Sequence, residues 1–347
     1  MLPATDWKET IADDEAERFE RYAELLGALQ KKRARDGAAL DRALHAKGQI
    51  GLEAELTVLP DLPEHARVGP FATPATYRAY VRYSNGSGAR QADGKGDVRG
   101  IAVKLLGVAG KKLIPGLESA TTQDFLLIQS AATPFRNADE FVWFVQAAAR
   151  PALLLPRVLG HFGPRRGLKL LRQLIGGISR PVVSLATSRY YSALPIRFGP
   201  YAVHYALAPT VADAPAARRG RSPDYLAEEL AARLAEGAVT YDFRVQFYRD
   251  EARTPIEDAS REWREEESPF VTLARLTLPK QSPGSPRGRR VAAFIESLSF
   301  DPWHALVELR PLGDMMRARN HAYRVSTKAR GASPEPDGSE RFDSAAP

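Results

Sequence analysis

With 347 residues, 44% of them hydrophobic and 26% charged, the chain has the composition of a globular protein with enough apolar material to bury a large core. It contains no cysteine, which excludes disulfides, thiolate metal sites, cysteine nucleophiles and covalently attached or thiolate-held haem. The formal charge of +7 crowds into 31–35, 165–172 and 287–290 without interleaved aromatics or a known module, so nucleic acid is not an expected partner.

The N-terminus has neither a basic start nor an apolar run, and no segment is apolar for long enough to span a bilayer, so a cytoplasmic location is expected. Residues 13–35 place Phe19, Tyr22, Leu25, Leu26 and Leu29 on one face and predict a leading helix. Strand patterns follow at 50–59, 80–84, 101–106 and 124–128, with glycine-rich turns over 86–100 as in a β meander. The character changes at 140–181. Apolar residues there recur at helical spacing over 141–148 and again at Leu168, Leu171, Leu174, Ile175 and Ile178, which reads as a helical insertion. Three more strands are expected at 196–207, 240–248 and 269–278, and a helix at 315–326. The tail SPEPDGSERFDSAAP lacks apolar periodicity and reads as disordered. The division is an N-terminal helical arm (1–40), one domain (41–330, with its insertion at about 140–181) and a disordered tail (331–347). No Rossmann or P-loop glycine pattern sits at a strand-to-helix junction.

Four stretches, in order along the chain, resemble the haem catalases. DRALHAKGQIGLEAEL is similar to the segment where an Arg precedes a His by three residues, ahead of Ala-Lys-Gly and a strand. YVRYSNGSGARQADGKGDVRGIAVKLLG resembles the two strands that follow it in that family. TQDFLLIQSAATPFRNADEF resembles the stretch carrying the catalase distal Asn. RPLGDMMRARNHAYRVSTKAR resembles the proximal segment, with Arg, Tyr and Arg at spacings of four and seven. Taken singly, Tyr323 reads as a half-buried helix tyrosine, His45 as a structural histidine, and Arg42, Arg82, Arg99 and Arg330 as surface or salt-bridged residues. Order and local spacing together carry the resemblance.

The resemblance implies an α+β protein with a catalase-like antiparallel β-barrel enclosing haem, added helices and the N-terminal helical arm. It implies haem b with Tyr323 as iron ligand, His45 as the distal acid–base group and Ser84 as its hydrogen-bond partner. Arg42, Arg82 and Arg330 become propionate contacts, and Arg319 the partner of Tyr323. One turn of helix separates these last two, and a fixed guanidinium beside a phenol favours the phenolate. Gln129 stands where the family has its distal Asn, a departure that moves the expectation from disproportionation of hydrogen peroxide toward a catalase-related peroxidase. Its expected substrates are hydrogen peroxide or organic hydroperoxides and a small organic electron donor. A fatty-acid hydroperoxide rearranging enzyme of the allene oxide synthase type and a non-catalytic haem-binding protein are the alternatives. The basic amphipathic stretch RRGLKLLRQLIGGI reads as a pocket lid or a dimer contact, or as a surface for a lipid hydroperoxide or a membrane, and the family adds a homodimer.

Overall fold

The computed structural model describes residues 2–33, 40–179, 182–211 and 222–343. The first helix, α1 (Glu15–Lys32), precedes a run of long strands: β1 (Gly48–Val58), β2 (Thr76–Asn85), β3 (Arg99–Leu106) and β4 (Thr122–Ile128). Three helices then follow: α2 (Ala138–Ala148), α3 (Leu154–Phe162) and α4 (Pro164–Ser179). The chain returns to strand in β5 (Tyr190–Tyr191), β6 (Ile196–Phe198) and β7 (Tyr201–Pro209), crosses helix α5 (Tyr225–Glu236), and adds β8 (Val239–Phe247) and β9 (Phe270–Leu278). It finishes with α6 (Pro286–Ser297) and α7 (Asp314–Arg330).

Every strand pairing is antiparallel, and the sheet closes on itself. The ring runs β1–β2–β3–β4–β5–β7–β8–β9 and back to β1, with β6 attached to β7. An eight-stranded barrel has room inside for little but its own side chains, and here they fill it. Side-chain alternation sends Val81 and Tyr83 of β2, Ile101 and Val103 of β3, and Phe125 and Leu127 of β4 into one apolar core with Tyr205 and Phe243. Their neighbours Arg82, Ser84, Gly100, Ala102, Leu126 and Ile128 therefore belong to the outer wall, where they line a cavity. That wall, rather than the barrel's lumen, is where a ligand has space.

Several expectations are adjusted by the structure. The stretch expected as one strand at 196–207 is a hairpin, because Gly199 (φ 61°) and Pro200 turn the chain between β6 and β7. Helices α5 and α6 were not expected from periodicity. The N-terminus of α6 is set by Ser285, whose Oγ accepts from the Gly288 N–H at 3.0 Å, with Pro286 opening the helix. The expected end of α1, at 34–35, and the end of the helical insertion, at 180–181, lie outside the described residues.

The tail expectation is corrected over 332–343. Glu335 reaches buried Lys104 at 2.7 Å, Tyr80 donates to Glu340 at 3.0 Å, and Phe342 packs on the outer barrel with Tyr80 and Phe294. Lys104 and Tyr80 lie 231 and 260 residues from Glu335 and Glu340 in sequence, so local composition carries no trace of these pairings. Among the described residues, no helix is long and apolar enough to cross a membrane.

Candidate active site

A cavity of about 280 Å3 lies between the outer wall of β2–β4 and the last helix. Gly100, Ala102, Ala318 and Ala322 keep its walls thin, and Leu126, Ile128, Phe141 and Phe300 make them apolar. Tyr22, Leu26 and Gly27 of α1 close one side. A Cβ on Gly27 would stand 2.9 Å from Val325 Cγ1, so a glycine is what allows α1 to lie this close to α7.

Helix α7 contributes Arg319 and Tyr323. Separated by one turn, they face the same way, and Arg319 Nη2 donates to Tyr323 Oη at 2.7 Å. The Arg319 guanidinium also lies 5.0 Å from the Tyr323 ring centre. Burial alone would lower the Arg319 pKa, but Tyr323, Tyr205 and Asp301 around it reverse that and the pKa rises, so the guanidinium stays charged. The start of α7 is anchored by Arg317, which meets Glu15 at 2.6 Å, Glu9 at 2.7 Å and Glu257 at 3.1 Å. Two of these carboxylates come from the N-terminal arm, which thereby fixes the helix that carries Tyr323.

The strand side presents His45. Its backbone is left-handed (φ 56°), a conformation that costs a non-glycine residue about 1–3 kcal/mol and persists where the surroundings enforce it. The enforcement is visible: the His45 and Ala46 N–H groups donate to Gly86 and Ser87 carbonyls, each at 3.1 Å, and Arg82 Nη2 donates to the His45 carbonyl at 3.1 Å. The ring packs over Gly100, where a Cβ would come within 2.8 Å of Cε1. Nδ1 shares a 2.9 Å hydrogen bond with Ser84 Oγ, which leaves Nε2 as the other proton site. Burial first, and then the cations Arg82, Arg319 and Arg42, push the His45 pKa down to about 3. At neutral pH the imidazole is uncharged and able to accept a proton.

At the rim, Arg42, Arg82 and Arg330 converge on the end of α6. Glu296 takes Arg42 at 2.5 Å and Arg82 at 2.8 Å. Arg42 and Arg330 each donate to the Leu298 carbonyl at 2.8 Å. Two guanidinium groups thus share one carboxylate, and the third, Arg330, sits on the backbone carbonyls beside it. The crowding weakens the hold on these protons: burial, Arg82 and Arg330 bring the Arg42 pKa down to about 9, and burial lowers that of Arg330 as well. Glu296, in turn, is held below the usual carboxylate range by Arg82 and Arg42 despite its burial. The rim carries an excess of positive charge.

Seven of the eight expected site residues line this one cavity: Arg42, His45, Arg82, Ser84, Arg319, Tyr323 and Arg330. Gln129 does not. Continuing the alternation of β4, it turns away from the cavity, where its Nε2 donates to Ser188 Oγ at 2.7 Å and its Oε1 accepts from the Arg99 N–H at 3.3 Å. The position beside the cavity belongs to Ile128, because a shift of one residue in a strand reverses the side-chain direction. Arg99 is likewise away from the cavity, with Nη2 donating to the Asp93 carbonyl at 2.6 Å. Sequence reasoning missed Glu296, Ile128, Gly100 and the Arg317 anchor. Only Gly100 had a visible signal, a glycine inside a strand pattern, which marks close approach by a neighbour.

The chain is 30% identical over 300 residues to the catalase-related peroxidase of Mycolicibacterium paratuberculosis, a match covering 83% of this chain and 88% of that one. No family model matches it. Among solved structures it is similar to a bacterial catalase (18% identity, TM-score 0.65) and to a fungal catalase (17%, TM-score 0.68). Catalase A of Saccharomyces cerevisiae also resembles it (14%, TM-score 0.66). These alignments cover 95–99% of this chain but only 66–67% of the catalases, so the chain spans about two thirds of their length. At such identities the solved structures establish the α+β catalase fold, whereas the sequence relative establishes kinship. The chain belongs to the catalase-related peroxidase family, oxidoreductases related to the catalases.

Proposed function

We propose that the protein is a haem-dependent peroxidase in which Tyr323 binds the iron of haem b and His45 handles the proton of hydrogen peroxide or an organic hydroperoxide. The observation that carries this reading is one cavity lined both by the Arg319–Tyr323 pair, joined at 2.7 Å, and by the His45–Ser84 pair, joined at 2.9 Å. The donor set suits the group. A phenol oxygen with a charged donor beside it suits ferric iron, since that donor stabilises negative charge on the oxygen. Three guanidinium groups with a single protein carboxylate among them suit the two propionates of a haem. Walls of Gly100, Ala102, Ala318 and Ala322 suit a broad flat ring.

Bound haem supplies the iron at which the O–O bond is cleaved. Uncharged His45 accepts the hydroperoxide proton at Nε2 while Ser84 holds Nδ1, and then returns it to the departing oxygen. A hydroperoxide and a two-electron organic donor give an alcohol, water and the oxidised donor. The apolar side chains of Ile128 and Leu126 favour a hydroperoxide with an organic substituent over hydrogen peroxide. That same apolar lining supports a second reading, rearrangement of a fatty-acid hydroperoxide without any donor.

The test is a visible spectrum of protein made with ample haem, followed by assays on hydrogen peroxide, tert-butyl hydroperoxide and a fatty-acid hydroperoxide, each with and without a phenolic donor. A high-spin ferric spectrum and donor-dependent turnover are expected. Donor-independent consumption of the fatty-acid hydroperoxide alone supports rearrangement, and a protein that takes up no haemin overturns both readings.

A further inference from the structure

We infer that the α3–α4 hairpin is a docking surface for anionic lipid bilayers, an interaction that stands independently of the haem reading. Between Glu140 and Asp213 the sequence has no acidic residue but nine Arg or Lys. Seven of these nine fall on or beside the helical insertion: Arg150, Arg157, Arg165, Arg166, Lys169, Arg172 and Arg180, the last of which lies outside the described residues.

Helix α4 has two faces. Gly167, Leu170, Leu171 and Leu174 turn inward; Leu170 and Leu171 join Phe135 and Val158 in a small core of their own. Arg165, Leu168, Lys169 and Arg172 are exposed at spacings of three and four, so cations alternate with an exposed leucine along one stripe. Leu168 is 45% exposed, and Leu153 and Leu155, around the start of α3, are 50% and 54% exposed. They account for three of the eight large apolar residues left in solvent among the described residues. Of the insertion's cations Arg166 is paired, with Glu140 at 2.5 Å, and Arg157 lies over Trp143. Among the described residues, Arg165, Lys169 and Arg172 have no ion-pair partner.

Charge and apolarity select the occupant together. A second copy docking through this same face would set cations against cations, since a two-fold interface repeats the same patch on both sides. Nucleic acid would neutralise the cations but leave the leucines in water. A bilayer with anionic headgroups satisfies both, the leucines entering the acyl boundary while the cations remain among the headgroups. The surface also communicates with the cavity. Phe141 and Met315 line the cavity and pack against the same small core that supports α3 and α4.

Co-sedimentation of the full chain with vesicles tests this, using phosphatidylcholine alone and an equal mixture with phosphatidylglycerol. Binding to the mixed vesicles only, weakened by salt, is expected. The triple variant Arg165→Glu/Lys169→Glu/Arg172→Glu is expected to bind at least about 100-fold more weakly, given roughly fivefold per surface cation. Leu155→Ser/Leu168→Ser, which keeps every charge, is expected to lose about tenfold or more from the removed apolar insertion. All substituted side chains are exposed, and an unchanged thermal midpoint verifies that each variant folds. Equal binding to both vesicle types, or wild-type binding by the triple variant, overturns the inference. So does undiminished binding by the leucine variant together with tight binding to an oligonucleotide, which marks a general polyanion surface.

Discussion

On the helical side of the cavity, Arg319 and Tyr323 stand four residues apart on α7, whose first turn Arg317 ties to Glu9, Glu15 and Glu257. On the strand side, the groups come from three strands and a left-handed turn, each aimed by register: Ser84 from β2, Gly100 from β3, Ile128 from β4 and His45 at φ 56°. The helical pair is local, so its geometry follows from spacing. The strand wall is assembled from segments up to about eighty residues apart, and one residue's shift there changes the chemistry on offer. Spacing along one helix thus sets the geometry of the first side, and strand register that of the second.

The largest effect is expected on the helical side. Tyr323→Phe keeps the ring but removes the oxygen, so haemin added to this variant should lose the ligation spectrum of the wild type. An unaltered spectrum would move the ligand elsewhere and erase the contrast. On the strand side, His45→Ala should retain haem but lose about 10²–10⁴-fold in its rate with peroxide, the range expected for a positioned acid–base group. Undiminished rates would remove His45 from the chemistry.

The same histidine predicts an unusual pH dependence. Its folded pKa of about 3 lies well below the unfolded value of about 6.5. The neutral form therefore persists through weakly acidic solution, and the peroxide rate should not fall at pH 6.5 as it would for an unperturbed histidine. Stability moves the other way. Below pH 6.5 the unfolded chain binds a proton at this position and the folded one does not, so His45 destabilises the fold progressively as pH falls toward 3. Denaturant midpoints between pH 7 and 4 should decline less steeply in His45→Ala than in wild type. Parallel slopes would show that the burial of the imidazole is not felt.

Legibility in the sequence followed the same division. The period of α7 and the four-residue interval from Arg319 to Tyr323 could be read directly, as could the strand candidates, because each depends on near neighbours. His45, Arg42, Arg82 and Arg330 were found only through the order of four separated motifs. The convergence of Arg42, Arg82 and Arg330 on the end of α6 is tertiary, and no feature of the segment around Glu296 marks it as their meeting point. Gln129 was displaced for a definite reason: along a strand, side-chain direction alternates at every residue, so an alignment off by one selects the wrong face. The tail failed as a reading because Glu335 answers a buried lysine in β3, a need that local composition cannot express.

The strand wall can be pressed further by restoring an amide to the cavity. Ile128→Asn places a hydrogen-bonding group where β4 now presents an alkyl side chain. One net hydrogen bond contributes about 1 kcal/mol, so the ratio of hydrogen peroxide to tert-butyl hydroperoxide turnover should rise about fivefold. A ratio that does not move would mean that this position does not face the reacting oxygens.

The smallest effect belongs to Gln129 itself and is the sharpest check on register. Its amide spans Ser188 and the Arg99 N–H, outside the cavity. Gln129→Ala should therefore cost about 1–2 kcal/mol of stability through two lost hydrogen bonds, read as a lower denaturant midpoint, and leave the peroxide ratio unchanged. If instead the ratio shifts as far as it does for Ile128→Asn, with stability intact, β4 is offset by one residue from the register described. The strand wall would then present the amide to the cavity, and the proposed preference for organic hydroperoxides would lose its structural basis.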